Sequence, residues 1–213
     1  MAQLQRCEWN VHWNSAQWGR RFIERQGIIA FNRGDGQDTL IASTGTDNTI
    51  TLGGGIRNSD LTLTKSGTNL ILSLGGSGDQ LTFQNWYNGT TFKSVFNLQL
   101  IEEASADFDA NSADPLLNKK IQSFNFQGLV AAFDAASDPA NWSLTNELLN
   151  QHLSGSDTEA IGGDLTYQYG RNGTLANIGF DPAMAVMSNA SFGTGPHTLQ
   201  PVQDLQQGIK RLS

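Results

Sequence analysis

Hydrophobic and polar positions alternate with period two in several short stretches between residues 28 and 126. In 60–65, Leu61 and Leu63 share one face. In 69–74, Leu70, Leu72 and Leu74 oppose Ile71, and in 80–86, Leu81 and Phe83 fall together. Successive side chains of a strand point to opposite faces, so this pattern predicts half-buried strands. Ser66-Gly67, Gly75-Gly76 and Gly78-Asp79 separate them, and such turn formers predict an antiparallel meander. The apolar run 28–31, the alternating 49–52 and the segment 95–102 add further strands. Residues 119–126 set Gln122, Phe124 and Phe126 against Ile121, Ser123 and Asn125, which predicts one more.

After residue 127 the spacing becomes helical. Residues 127–136 are alanine-rich, and 143–153 carry Leu144, Leu148, Leu149 and Leu153 before Gly155 as a stop. Residues 157–169 place Ile161, Leu165 and Tyr169 four apart behind Asp157 as N-cap, with Gly162-Gly163 weakening the helix. Asp181-Pro182 opens a short helix to 189, and 200–212 form a final one. The polar segment 104–118, with Pro115, reads as a connection. The expected fold class is α+β: a β-rich part over 27–126, made of one vestigial β-roll corner and an antiparallel meander, then a helical part over 127–213.

Residues 1–26 differ from both. They hold Trp9, Trp13 and Trp18 together with Arg6, Arg20, Arg21 and Arg25. Such a leader covers an open sheet edge, or offers an aromatic surface that, like an exposed sheet edge, binds a protein or sugar, or is foreign to the ancestral domain. It has no continuous apolar core, so no N-terminal signal peptide is expected.

Charge narrows the function classes. The chain has 213 residues, a net charge of −7 and a pI near 4.8, against the clustered Lys and Arg that nucleic acid or an anionic membrane requires. No apolar run is long enough for a membrane span. Cys7 is the one cysteine, which excludes an intrachain disulfide and a thiolate zinc cluster. His12, His152 and His197 form no His-x-x-x-His pair, and there is no Gly-x-Ser-x-Gly elbow. Gly53, Gly54 and Gly55 lead into a strand rather than a helix, unlike a phosphate-binding loop. Glu102 and Glu103 are adjacent, so on a strand they diverge and make a poor acid/base pair. No enzymatic activity is expected; a hydrolase is a lesser alternative.

One motif names a chemistry. Residues 34–41 read Gly-Asp-Gly-Gln-Asp-Thr-Leu-Ile, and nine residues later Gly45, Asp47 and Ile50 echo Gly36, Asp38 and Ile41. A glycine-rich, Asp-bearing nonapeptide with an apolar residue near its end is the unit of a parallel β-roll that binds calcium. Asp outnumbers Glu by 14 to 6, and Asp suits both turns and hard-cation ligation.

The run from Phe31 to Leu40 resembles the last nonapeptide of an RTX (haemolysin-type calcium-binding) array. Leu52-Gly53-Gly54-Gly55-Ile56, Asp60-Leu61-Thr62-Leu63, Asn69-Leu70-Ile71-Leu72, Asp79-Gln80-Leu81-Thr82-Phe83 and Asn85-Trp86-Tyr87 are similar, in order, to the haemolysin-type calcium-binding-related domain that follows such arrays. The resemblance covers 28–126; the helical tail, with Gly155-Ser156-Asp157-Thr158 and Gly162-Gly163-Asp164-Leu165, resembles C-terminal ends of such proteins less specifically. It implies a bacterial protein secreted by a type I system through an uncleaved C-terminal signal, with calcium-triggered folding outside the cell. Relatives of this kind are exotoxins, adhesins and secreted hydrolases whose activities reside in other domains. The upstream array is missing here, so the chain looks like a terminal module that caps a β-roll. Its expected partners are calcium, upstream RTX repeats and the type I secretion apparatus.

The expected metal residues are Gly34, Asp35, Gly36, Asp38 and Asp47. In a regular roll, corners on one edge lie about 18 residues apart, which pairs Asp38 with Arg20 or Ile56 and Asp47 with Ile29 or Lys65. None of these is a ligand. Calcium takes about six to eight oxygens and one corner supplies about three, so the motif predicts a weak or incomplete site. The alternative is that Gly34 and Gly36 permit the turn while the Asp side chains cap backbone amides. Asp157 and Asp164, seven apart, would share a helix face, but N-capping is the simpler role for Asp157.

Overall fold

The computed structural model describes residues 10–12, 21–22, 27–42, 48–53, 55–153 and 163–172. The chain winds alternately through two five-stranded sheets. The first contains β1 (Asn10–His12), β3 (Gly27–Phe31), β5 (Asn48–Leu52), β9 (Val95–Leu100) and β10 (Gln122–Asn125), in that order. The second runs β2 (Arg21–Phe22), β4 (Gln37–Ile41), β8 (Gln80–Phe83), β7 (Asn69–Leu74) and β6 (Leu61–Ser66). β1, β3, β5 and β9 are mutually parallel, as are β2, β4 and β8. The strands therefore form a parallel β-roll, one coil on the next. The helical segments are α1 (Phe126–Ala135), α2 (Leu144–Leu148) and α3 (Gly163–Asn172). The fold is α+β, with its strands concentrated in the first 125 residues.

The antiparallel meander holds only for β6, β7 and β8. The Ser66-Gly67 and Gly75–Asp79 turns make hairpins, as their residue types predict. The other strands up to β9 pair in parallel, because the polypeptide coils back to the same sheet before pairing, and β10 then closes the first sheet antiparallel to β9. The roll is thus more than a single corner. Its spacing is also irregular. Ile28 lies opposite Thr49, whereas Gln37 lies opposite the much more distant Gln80 because the β6–β7 hairpin is inserted into the third coil.

Ile29, Phe31, Ile50, Leu52, Leu98 and Leu100 of the first sheet share one core with Leu40, Leu70, Leu72, Leu74, Leu81 and Phe83 of the second. Phe83, Trp86 and Phe126 close one end, with ring centroids 5.1–5.7 Å apart. Every residue of β3 and β5 is buried, which suits parallel strands covered on both faces. Over the outer face, α3 approaches so closely that a Cβ on Gly53 would lie 2.2 Å from the Gly170 Cα. Polar side chains stitch the coils. Asn48, fully buried, accepts from the Gly27 N–H at 2.8 Å and donates to the Ser94 carbonyl at 2.7 Å, joining three successive coils.

The helix expected over 127–136 is α1, one residue earlier, with Asn125 accepting from the Gly128 N–H at 3.0 Å as its N-cap. The helix expected over 143–153 is shorter. After α2 and a 3-10 turn, the Leu153 N–H bonds to the Ser123 carbonyl at 2.7 Å, extending β10's neighbourhood instead. His152, fully buried, explains the change: its Nε2 lies 2.6 Å from the Gln122 Oε1. Of the helix expected over 157–169, α3 covers the described part from Gly163 on, and residues 157–162 lie outside the described residues. Asp157, the helices expected at 182–189 and 200–212, and the leader tryptophans Trp9, Trp13 and Trp18 lie outside the described residues.

Candidate functional site

The Gly-Asp-Gly-Gln-Asp motif forms the corner between β3 and β4. Gly34 and Gly36 have φ of 87° and 82°, a left-handed backbone that favours glycine. A second corner of the same kind lies between β7 and β8. There Gly76 and Gly78 have φ of 82° and 75° around Ser77. The pairing of β4 with β8 stacks the two corners, and the Gln80 N–H donates to the Gly36 carbonyl at 2.9 Å. The partner corner is thus supplied by 75–79, a stretch read from the sequence only as a hairpin turn. Ile56, one of the two positions that an 18-residue repeat pairs with Asp38, is not its register neighbour, since Asp38 sits opposite Leu81; the other, Arg20, lies outside the described residues.

Asp79 joins the two corners. Its Oδ2 accepts from the Gly34 N–H at 2.9 Å and its Oδ1 from the Gly36 N–H at 2.8 Å. The side chain is 3% exposed. Burial opposes its ionisation. The Ser77 hydroxyl, the two amides and the Arg33 charge outweigh that and hold the carboxyl below the ordinary aspartate range. Arg33 closes the arrangement from the other side. Its Nη1 donates to the Gly75 carbonyl at 2.8 Å, and its Nη2 makes a close ion pair with the Asp60 Oδ2. The same Asp60 oxygen accepts from the Arg57 N–H at 2.8 Å.

The expected metal residues therefore divide. Gly34 and Gly36 direct their N–H groups at Asp79. Asp35 caps its own turn, its Oδ2 accepting from the Asn32 N–H at 2.9 Å. Asp38 is buried at the start of β4. Asp47 lies outside the described residues. Arg33, Asp60, Gly75 and Asp79 complete the site and were missed. The Gly76-Ser77-Gly78-Asp79 run repeats the Gly-x-Gly of residues 34–36, and that signal was available. Among the described residues, no three His, Cys, Asp or Glu side chains converge as a metal ion requires.

A different carboxylate lies after β9. Glu102 is fully buried, and neither of its oxygens meets hydrogen-bond geometry with a neighbour. Burial pushes its carboxyl up to about 7; the Ser105 hydroxyl offsets part of that, and Asp107 and Asp114 add to it. Glu103 pairs instead with Lys120 at 2.9 Å. The two acids lie not on a strand, as the sequence suggests, but in the 3-10 turn Glu102–Ala104 that follows β9, where Glu102 is buried and Glu103 faces Lys120.

A cleft of about 480 Å³ runs between α1 and the segment before β9, lined by Trp86, Lys93, Gln127 and Asp134 among others. Trp86 is 1% exposed, so its ring offers no stacking platform. At the rim, the Tyr87 hydroxyl donates to Asp134 at 2.8 Å; burial and that carboxylate raise the phenol above its ordinary value. Among the described residues, no helix is long and apolar enough to cross a membrane.

No family model matches the chain, and no curated protein matches it significantly.

Proposed function

We propose that this chain is the non-enzymatic terminal cap of a parallel β-roll in a secreted, RTX-like bacterial protein. The supporting observation is the polarity of the coil. At the C-terminal end, both sheets finish in antiparallel strands: β10 on β9 in the first, β7 and β6 on β8 in the second. At the other end, β1 and β2 are the outermost parallel strands among the described residues. A solenoid grows by parallel stacking and needs an atypical unit where it stops, since bare strand edges invite wrong pairing. Such a cap accepts a preceding coil on β1 and β2 and refuses a following one.

In this reading calcium serves chiefly the coils stacked upstream, where regular nonapeptides supply both corners of each site. Secretion by a type I route and folding in extracellular calcium belong to the same proposal and rest on the sequence resemblance. The test is a fusion. Four consensus Gly-Gly-x-Gly-x-Asp-x-apolar-x repeats are placed before residue 1, and calcium-induced β-structure is followed by circular dichroism. The cap reading expects the repeats to fold at about tenfold lower calcium than the same repeats alone. Equal calcium midpoints with and without this chain would sink it.

A further inference from the structure

We propose that Arg33 is the resident cation of the junction between the β3–β4 corner and the β7–β8 corner, and that it makes this junction independent of divalent metal. The proposal refines the regulation of that corner within the cap reading, but its test uses the chain without upstream coils.

Oxygen atoms from the β7–β8 corner and from the turn before β6 face Arg33. Asp60 and Asp79 contribute carboxylates and Gly75 a carbonyl. Arg33 reaches two of these directly, and its charge acts on the third. A guanidinium suits this place because its donors are fixed in a planar fork and it stays charged at every pH a folded protein meets. One arm holds the β7–β8 corner, and the other holds the turn that leads into β6. Arg33 therefore ties the inserted hairpin to the roll as well as neutralising the junction.

The arrangement also disfavours a divalent ion. Both Asp79 oxygens already accept backbone N–H groups, so metal ligation would have to strip hydrogen bonds from Gly34 and Gly36. The ion would approach a fixed positive charge, and at short range that repulsion outlasts salt screening. Arg57, the other nearby cation, is turned towards Asp107 at 3.5 Å and does not replace Arg33.

The experiment is hydrogen exchange of the 32–37 backbone in the full chain, in EDTA and in about 5 mM calcium, above the range of weak extracellular sites. In the parent chain, exchange of this segment is expected to be the same in both. In Arg33→Gln it is expected to be at least about tenfold faster in EDTA, the change that a lost charge-assisted contact produces. Calcium should then slow it in part, held with water by the Asp60 carboxylate and the Gly75 carbonyl that Arg33 vacates, while Asp79 keeps its two amides. Asp60→Asn, which loosens one arm and keeps the guanidinium, should speed exchange in EDTA without gaining a calcium response. Should Arg33→Gln fail to fold, that second variant and the parent chain still decide the matter. Slower exchange of 32–37 on adding calcium to the parent chain overturns the proposal. So does an Arg33→Gln chain whose segment exchanges like the parent's, or an Asp60→Asn chain that exchanges like the parent in EDTA or gains a calcium response.

Discussion

Asp79 and Glu102 are both withdrawn from solvent, at 3% and 0% exposure, yet they are shifted in opposite directions. Asp79 meets two backbone N–H groups, a hydroxyl and a guanidinium, and stays ionised. Glu102 meets none of these in good geometry and has two acids for neighbours. The contrast teaches that burial is only the first cost; what the backbone aims at the carboxylate decides its charge. At the corner, left-handed glycines turn N–H groups inward. After β9, the chain enters a 3-10 turn (Glu102–Ala104) whose own N–H groups serve the backbone. The first acid holds coils together, and the second costs stability whenever it is ionised.

The comparison breaks most sharply at Asp79. Asp79→Ala leaves two part-buried amides without their acceptor and Arg33 short of a counter-charge, so urea unfolding should show a loss of about 3 kcal/mol. A loss below about 1 kcal/mol would mean that the corner does not depend on this carboxylate. Glu102→Gln should act the other way. At pH 8 the parent carries an ionised buried carboxylate, and an uncharged amide should raise stability by about 2 kcal/mol, allowing for the amide's own unmet groups.

Acid–base behaviour sharpens the contrast. Glu102's folded pKa, about 7, lies above its unfolded value of 4.5. The folded state therefore binds more protons between those limits. Stability from this group is complete below 4.5 and falls as pH rises to about 7. Asp79's pKa is lowered, so its contribution is present above 3.8 and is lost as pH falls through the folded value. Unfolding measured from pH 3 to 8 should show the alkaline decline in the parent and not in Glu102→Gln, while the acid loss persists in both. A decline that survives in Glu102→Gln would assign it to another group.

The smallest effect is expected at α3, which packs beside the turn holding Glu102. A Cβ on Gly170 would come within 2.5 Å of Ile101. Gly170→Ala should loosen α3 and speed exchange over 163–172, while changing the midpoint of the β core by less than about 1 kcal/mol. As water reaches Glu102, the pH 4.5–7 decline should shrink, with the Asp79 acid limb unchanged. An unaltered decline alongside faster α3 exchange would show that α3 does not supply Glu102's burial.

Much of the local structure was legible. Leu61, Leu63, Leu70, Leu72, Leu74, Leu81 and Phe83 lie on the inward faces that their alternation assigns. Gly34 and Gly36 turn the chain where the motif places a corner. α1 starts one residue before the alanine-rich run predicts, behind an asparagine cap that the pattern reads as strand. The site was legible only in part. The motif points to Asp35 and the glycines, whereas Arg33, one residue before it, carries no motif signal. Asp79 was taken for a hairpin residue, which it also is. A fixed 18-residue rule pointed past it, because the inserted β6–β7 hairpin moves the partner corner 43 residues downstream of Gly36 by register of the adjoining Gln37 and Gln80.

The sequence by itself determined where this chain turns and which faces of its strands are apolar. Those properties are local: they depend on glycine's freedom at positive φ and on the two-residue period of a strand. Only the tertiary structure decided which corner stacks on which, and therefore whose amides Asp79 receives and whose carbonyl Arg33 reaches. Pairing between distant strands depends on how each coil buries its apolar face, and an insertion shifts it without leaving a mark in the local pattern. Glu102 shows the same limit. Its residue type argues for the surface, and packing alone put it inside.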